Sequence, residues 1–235
     1  NTTLTHLSLE ANLISDEDIV KNNFVFAPAI KAEISRGINL DFGHKILYKS
    51  FMMTINQAFF YTNVKNSIVP DYFKIVDSLI VLENANTSLS ARGFDTNINL
   101  GYDELNLFLD YTFASVRKAI DNKATHLTLT PRSKLNLTLT FEGEGSWRAG
   151  IEAFYTGKQY LDDNSLSRDF WTFGVMVKKI FKRFSIVGNI ENIFDERQTR
   201  HERIVLPPFA DPTFKPIFEP LDGIVANIAL DIKLK

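Results

Sequence analysis

The chain has 235 residues, with 26 basic and 28 acidic side chains, a formal net charge of −2 and no cysteine. That balance gives no electrostatic case for nucleic acid, and the missing thiols exclude a disulfide framework and zinc-finger spacing. The length suffices for one large β-domain or two small ones, and no apolar run approaches the ~20 residues of a membrane-crossing helix. Hydropathy averages out in membrane β-barrels, so a bilayer stays open.

The chain opens on Asn1, without an initiator methionine or a signal-peptide pattern, so a processed chain or a fragment is expected. Residues 1–23 read as loop or a frayed strand. Helical spacing in "DEDIVKNNF" (Asp16–Phe24) is too short to predict a helix. Beyond it the pattern has period two. "RGINLDFGH" (Arg36–His44) aligns Ile38, Leu40 and Phe42, although Arg36 and His44 share their parity. "FMMTINQAFFY" (Phe51–Tyr61) alternates with Gln57 on its apolar side.

The next strands are cleaner. "FDTNINLGY" (Phe94–Tyr102) sets Phe94, Thr96, Ile98, Leu100 and Tyr102 against Asp95, Asn97, Asn99 and Gly101. "LNLFLDYTF" (Leu105–Phe113) sets leucines and aromatics against Asn106, Phe108, Asp110 and Thr112. "KLNLTLTFE" (Lys134–Glu142) and "WRAGIEAFY" (Trp147–Tyr155) divide likewise, with Arg148 and Glu152 on the polar side. "WTFGVMVK", "FSIVGNIE" and the closing "GIVANIALDIKLK" complete nine predicted strands.

The connections alternate in length. Turns of two or three residues are expected at Lys49-Ser50, Asp103-Glu104, Gly143–Gly145 and Lys182-Arg183, the length of hairpin loops. Long loops are expected at Val64–Ala91, Val116–Thr125, Leu161–Asp169 and Asp195–Leu221. Antiparallel strands joined this way place all short turns at one end of the sheet and all long loops at the other.

Alternation alone fits a soluble β-sandwich as well as a membrane barrel. Three features favour the barrel. The strands are near the ~9–11 residues that cross a bilayer at a tilt. Aromatics close the apolar faces at Tyr61, Tyr102, Phe113, Trp147, Tyr155 and Trp171, as in interfacial girdles. The loops segregate by length. Nine strands would leave two open edges, which lipid does not tolerate, so the chain is expected to be the last part of a larger barrel.

"AFFYTNVKNSIV", "ARGFDTNINLGY", "LFLDYTFASVRK", "HLTLTPRSKLNLTLTFE", "WRAGIEAFYTGKQYLDD", "ENIFDERQTR" and "PTFKPIFEPLDGIVANIALDIKLK", in that order, resemble the C-terminal barrel of TonB-dependent outer-membrane receptors of the Bacteroidetes type. The resemblance runs from about Phe24 onward. It implies an all-β fold, an antiparallel transmembrane barrel of 22 strands of which this chain, 1–235, supplies about the last nine. It also implies a plug domain and an energy-coupling box, neither of which appears in these residues. The implied function is active uptake of a scarce ligand (iron-siderophore, haem, cobalamin or glycan) across the bacterial outer membrane, with the C-terminus at the periplasmic side. Implied partners are outer-membrane lipid and lipopolysaccharide, the plug, TonB and a surface lipoprotein. The family often ends on Phe, where this chain ends on Lys235.

On that reading Asp95, Asn97, Asn99, Asp110, Arg148, Glu152, Asn189, Glu191, Asn227 and Asp231 face the lumen or contact the plug. Arg197, Arg200, His201 and Arg203 are the loop candidates for an anionic ligand, against the plainer reading of a solvated loop with Glu196 and Glu202 interspersed. Asn192 and Asp195 are expected to shape the exit into that loop through their own side chains. "DDNSLSRD" (Asp162–Asp169) offers oxygens to calcium without EF-hand spacing. His6, His44, His126 and His201 share no metal spacing, and no hydrolase elbow, phosphate loop or zinc-protease string occurs. No catalytic residue, metal or cofactor is expected. A barrel without TonB coupling (pore, adhesin or enzyme) and a soluble sandwich binding protein stay open as alternatives.

Overall fold

The computed structural model describes residues 24–76, 79–84, 87–120, 123–143, 145–161 and 163–232. The expectation for residues 1–23, most of "DEDIVKNNF" and the closing 233–235 lie outside them. The chain divides into two compact units. The first takes in residues through Arg36, Asn63–Leu89 and Ala119–Lys123; the second takes in Gly37–Thr62, Ser90–Lys118 and Ala124–Lys235.

In chain order the strands are β1 (Phe24–Phe26), β2 (Ile34–Tyr48), β3 (Phe51–Lys65), β4 (Ile68–Val76), β5 (Leu79–Asn84), β6 (Thr87–Tyr102), β7 (Leu105–Ile120) and β8 (Lys123–His126). They continue with β9 (Ser133–Glu142), β10 (Trp147–Thr156), β11 (Phe170–Ile180) and β12 (Phe184–Glu191). A four-residue helix α1 (Gln198–His201), then β13 (Val205–Leu206), β14 (Thr213–Phe214) and β15 (Val225–Ile232) complete the order. One large sheet has the order β15-β12-β11-β10-β9-β7-β6-β3-β2, with β8 paired to β7. Its nine path strands are the nine that alternation predicts, each beside its sequence neighbour.

Register explains why the alternation survives folding. Leu107 faces Leu139, Leu139 faces Ile151, Ile151 faces Val175, Val175 faces Ile190, and Ile190 faces Ala226. Partners across a ladder share a face, so five ladders in register merge their apolar sides into one stripe. Gln57 and Thr96, the polar residues on apolar parities, answer each other: Thr96 Oγ1 donates to Gln57 Oε1 at 2.6 Å, and Gln57 Nε2 donates to the Asp95 carbonyl at 3.0 Å.

That stripe is covered by nothing among the described residues. The only buried apolar side chains there are Val81 and Ala153, whereas Ile38 is 68% and Ile228 83% exposed. A sandwich would bury this face under a second sheet. A contiguous apolar face of this extent on a soluble domain would be an aggregation hazard; on a barrel strand it is the lipid-facing side. Aromatics gather along the stripe toward the long-connection end. Phe42, Phe59, Phe94 and Tyr111 follow ring to ring, and Tyr155, Trp171, Phe173 and Phe194 form a second run. At the opposite end Lys179 Nζ lies 4.3 Å from the Trp147 ring centroid.

Two of the expected long loops are instead β-structure. Most of Val64–Ala91 is the β4–β5 hairpin, on which β1 adds in parallel, and β3 and β6 run on past their predicted ends to Lys65 and from Thr87. Lys31 N and Asn84 Oδ1 (2.5 Å) and Ile68 N and Glu33 Oε1 (2.7 Å) fasten that unit. Val116–Thr125 is likewise the end of β7 turning into β8. Both stretches lose apolar alternation, which is why periodicity reads them as loops; the backbone keeps its ladder regardless. The short turns fall where expected, with Lys49 (φ 53°) and Asp103 (φ 48°) taking the positive φ that tight hairpins require.

Gly93 on β6 has no room for a side chain against β7. A Cβ there would collide with the Phe113 carbonyl and approach Phe60 Cζ at 2.8 Å. Gly93→Ala is therefore expected to cost about 1–3 kcal/mol through overpacking. The measurement is the temperature at which the folded, fast-migrating band on a semi-native gel is lost; an unchanged temperature contradicts the close approach.

Candidate functional site

The polar side of the sheet brings several expected residues together. Asn97, Asn99 and Asp110 line one depression of about 350 Å³ with Asn136, whose Nδ2 donates to Asp110 Oδ2 at 3.2 Å. Glu152 and Glu191 share another, of about 500 Å³, with Asp222. Asn189 Nδ2 donates to Glu191 Oε1 at 3.1 Å and Asn189 sits opposite Asn227 in register. Asp231 accepts from Lys178 Nζ and Ser185 Oγ, both at 3.1 Å, and Arg148 reaches Glu142 at 3.9 Å. Asp95 enters this account only through its backbone carbonyl.

The more organised site lies where three connections of the second unit meet. The chain leaves β12 through a turn clasped by Asn192, at φ 50°. Its Oδ1 accepts from Glu196 N at 2.8 Å, while its Nδ2 donates to the Glu196 carbonyl at 2.9 Å and to the Asp222 carbonyl at 3.2 Å. One amide thus holds both the exit and the return of a thirty-residue excursion. Asp195, at φ 56°, takes the Arg197 guanidinium at 2.8 Å. A Cβ on Gly223 would strike the Asp195 carboxylate, so a side chain there would require that carboxylate to move.

Gln198, the first residue of α1, is fully buried. Its Nε2 donates to Glu202 Oε1 (2.8 Å) and to the Pro216 carbonyl (2.9 Å); its Oε1 accepts from Phe218 N (3.0 Å) and Glu219 N (3.4 Å). The glutamine amide serves as the polar core of the excursion, pairing backbone groups that no sheet satisfies. Lys215 Nζ bonds Glu202 at 2.6 Å and holds that carboxyl below the usual carboxylate range. The preceding connection docks alongside: Gln159 Nε2 donates to the Phe218 carbonyl at 3.3 Å, and Leu129 N donates to the Tyr160 carbonyl at 2.9 Å. His126 stacks on Tyr160, ring centroids 4.0 Å apart. Tyr155 donates to Asp169 at 2.9 Å, which depresses the Asp169 pKa.

These segments border an open cavity of about 790 Å³, lined by residues of all three connections, among them Leu129, Leu166, Arg168, Gln198, Lys215 and Phe218. Of the four basic loop candidates, three are engaged inside the excursion. Arg197 pairs with Asp195, Arg200 donates to the Phe194 and Asp195 carbonyls, and His201 Nε2 lies 3.1 Å from Glu196 Oε1. Arg203 is exposed. Arg168 and Lys215, which sequence reading passed over, also line the cavity; Arg168 lies 3.3 Å from both Glu196 and Glu219. Glu219 is itself buried, and that burial pushes its carboxyl pKa up. In "DDNSLSRD", Asp163 Oδ1 caps Ser165 N at 2.9 Å in a turn, and Asp162 lies outside the described residues.

A large antiparallel sheet with a bare apolar face, aromatic bands and long connections at one end of its strands defines a membrane-spanning β-barrel segment. Residues 14–193 match the family model "TonB dependent receptor-like, beta-barrel". The chain belongs to the TonB-dependent receptor β-barrel family. No curated protein sequence matches it. Among solved structures, the copper transporter OprC superposes with TM-score 0.63 at 18% identity, over 87% of this chain and 32% of that one. The FrpB iron transporter of Neisseria meningitidis gives 0.60 at 12% identity, over 88% and 32%. The siderophore receptor PirA of Acinetobacter baumannii gives 0.56 at 12%, over 84% and 32%. The chain thus spans about a third of these relatives, and at such identities the likeness is one of fold.

Gln198→Ala would leave Phe218 N, Glu219 N and the Pro216 carbonyl unpaired in a buried site, at about 1–3 kcal/mol for each group not re-satisfied by water. Amide exchange of Phe218 and Glu219 is expected to quicken at least tenfold while the β9–β12 ladder stays protected. Unchanged exchange at both amides contradicts the glutamine's role as polar core.

Proposed function

We propose that the chain is the C-terminal part, 1–235, of an outer-membrane receptor that imports a scarce ligand with energy delivered through TonB. The observation that carries this is the uncovered apolar stripe across a sheet of nine path strands whose β2 and β15 edges are unpaired among the described residues, in a chain of this family. In the proposal the apolar stripe meets lipid, and the β2 and β15 edges pair with strands this chain does not supply. Asp110, Glu152, Asn189, Glu191, Asn227 and the other polar-face residues then line the lumen and hydrogen-bond a plug. The C-terminus lies at the periplasmic rim, and the knitted connections stand outside the cell, where lipopolysaccharide and a surface lipoprotein are the neighbours.

The ligand class follows from supply: diffusion through pores fails for solutes that are both large and dilute, which covers ferric siderophores, haem, cobalamin and glycans. The solved neighbours named above are a copper transporter, an iron transporter and a siderophore receptor, consistent with a metal-bearing member of that set. The test is an in-frame deletion of the gene, scored for growth on each of these four supplies at limiting concentration, beside a strain lacking TonB. A defect on one supply, reproduced by loss of TonB, is expected. Growth intact on all four, or uptake that persists without TonB, overturns the reading.

A further inference from the structure

Glu196, His201 and Glu219 come from the exit turn, the end of α1 and the return segment of the last excursion. One ligand atom from each lies within 4.8 Å of the other two. Their situations differ. The Glu196 and His201 side chains are 19% and 38% exposed, so both can adjust; the Glu219 side chain is fully enclosed. Neither Glu219 carboxylate oxygen accepts a hydrogen bond, although Arg168 Nε stands 3.3 Å from one of them. A buried carboxylate with unfilled lone pairs demands a cation, and a guanidinium approaching off-axis answers the charge without satisfying the oxygens.

We propose that Glu196, His201 and Glu219 form a site for a first-row divalent cation of the zinc or copper type, which displaces Arg168 as counter-charge and ties the exit of the excursion to its return. An imidazole among two carboxylates favours these ions over calcium and magnesium, which take oxygen ligands alone. Zinc-type bonds of about 2.0–2.2 Å require ligand atoms roughly 3.3 Å apart, so the trio must contract by at most ~1.5 Å, within rotamer reach of Glu196 and His201. Three protein ligands leave a fourth position for water or for a donor arriving from the cavity, since His201 and Glu219 both belong to its wall. The site stands apart from the transport reading, because a cation clasp serves the connections whatever the barrel carries.

The test uses the full-length protein in detergent, with folding checked by heat-modifiable migration. Zinc is titrated by calorimetry, and copper(II) serves as the paramagnetic probe. One equivalent per chain is expected, with nitrogen coupling from a single imidazole in the copper spectrum. His201→Ala and Glu219→Gln should each weaken binding at least ~10-fold, the range that outer-shell partners alone command. Arg168→Gln, which removes the competing charge, should tighten it. Should Glu219→Gln not migrate as a folded barrel, His201→Ala decides, since its imidazole is partly exposed and its loss leaves no buried group stranded. No stoichiometric binding, or binding that His201→Ala leaves unchanged because the ion sits elsewhere, overturns the proposal.

Discussion

Backbone amides in an apolar layer have no water to turn to, so every N–H and C=O there must be paired by the chain itself. A closed antiparallel ladder meets that demand, and most of this structure can be derived from it. Each path strand of the sheet pairs with the path strand before or after it in the chain, which limits the loop each ladder must close. The side chains then divide by parity, and register carries the division from β7 to β15 without a slip. A one-residue slip at any ladder would move a leucine stripe to the polar side and an Asp or Glu to the apolar one. The sheet's two unpaired edges are the one place where the demand is unmet within the described residues, and they are the reason a longer barrel is proposed.

Away from the sheet the same accounting is settled by side chains. The last excursion has a helix of four residues and a hairpin with two-residue strands, too little regular structure to pair its own backbone. Asn192 closes its neck and Gln198 fills its middle, each bonding several backbone groups at once. Glu219, beside Gln198, is the group this arrangement leaves least satisfied. Interior polar atoms of this kind make a loop cluster rigid at the cost of sensitivity: loss of one amide releases several partners together.

The fold was legible in the sequence because period-two alternation reports a physical boundary. "KLNLTLTFE" has one clean face because one of its faces meets an apolar environment, and the strand could be bounded within a residue. The β4–β5 hairpin was illegible for the converse reason. "IVPDYFKIV" breaks its alternation with Pro70, Asp71 and Lys74, so periodicity reads it as loop. Asn192 and Asp195 were legible as turn-formers, since short polar side chains tolerate positive φ. Gln198, Arg168 and Glu219 were not. Glutamine, arginine and glutamate are surface residues by habit, their partners lie some twenty to fifty positions away, and only the tertiary fold brings them together. The basic run at Arg197–Arg203 meets the same limit: a charge pattern cannot tell cations that await a ligand from cations already paired, as Arg197 is with Asp195 and His201 with Glu196.

The central claim is that the apolar stripe faces lipid. Because the chain has no cysteine, single-cysteine variants can be spin-labelled one at a time along Leu135–Phe141 and Ala149–Ala153 in the full-length protein reconstituted in bilayers. Accessibility to oxygen, which dissolves in lipid, is compared at each site with accessibility to a water-soluble nickel chelate. The account predicts a strict period of two: labels at 135, 137, 139, 141, 149, 151 and 153 favour oxygen, and their neighbours do not. Absence of alternation, or oxygen preference at 136, 138 and 140 instead, would contradict it.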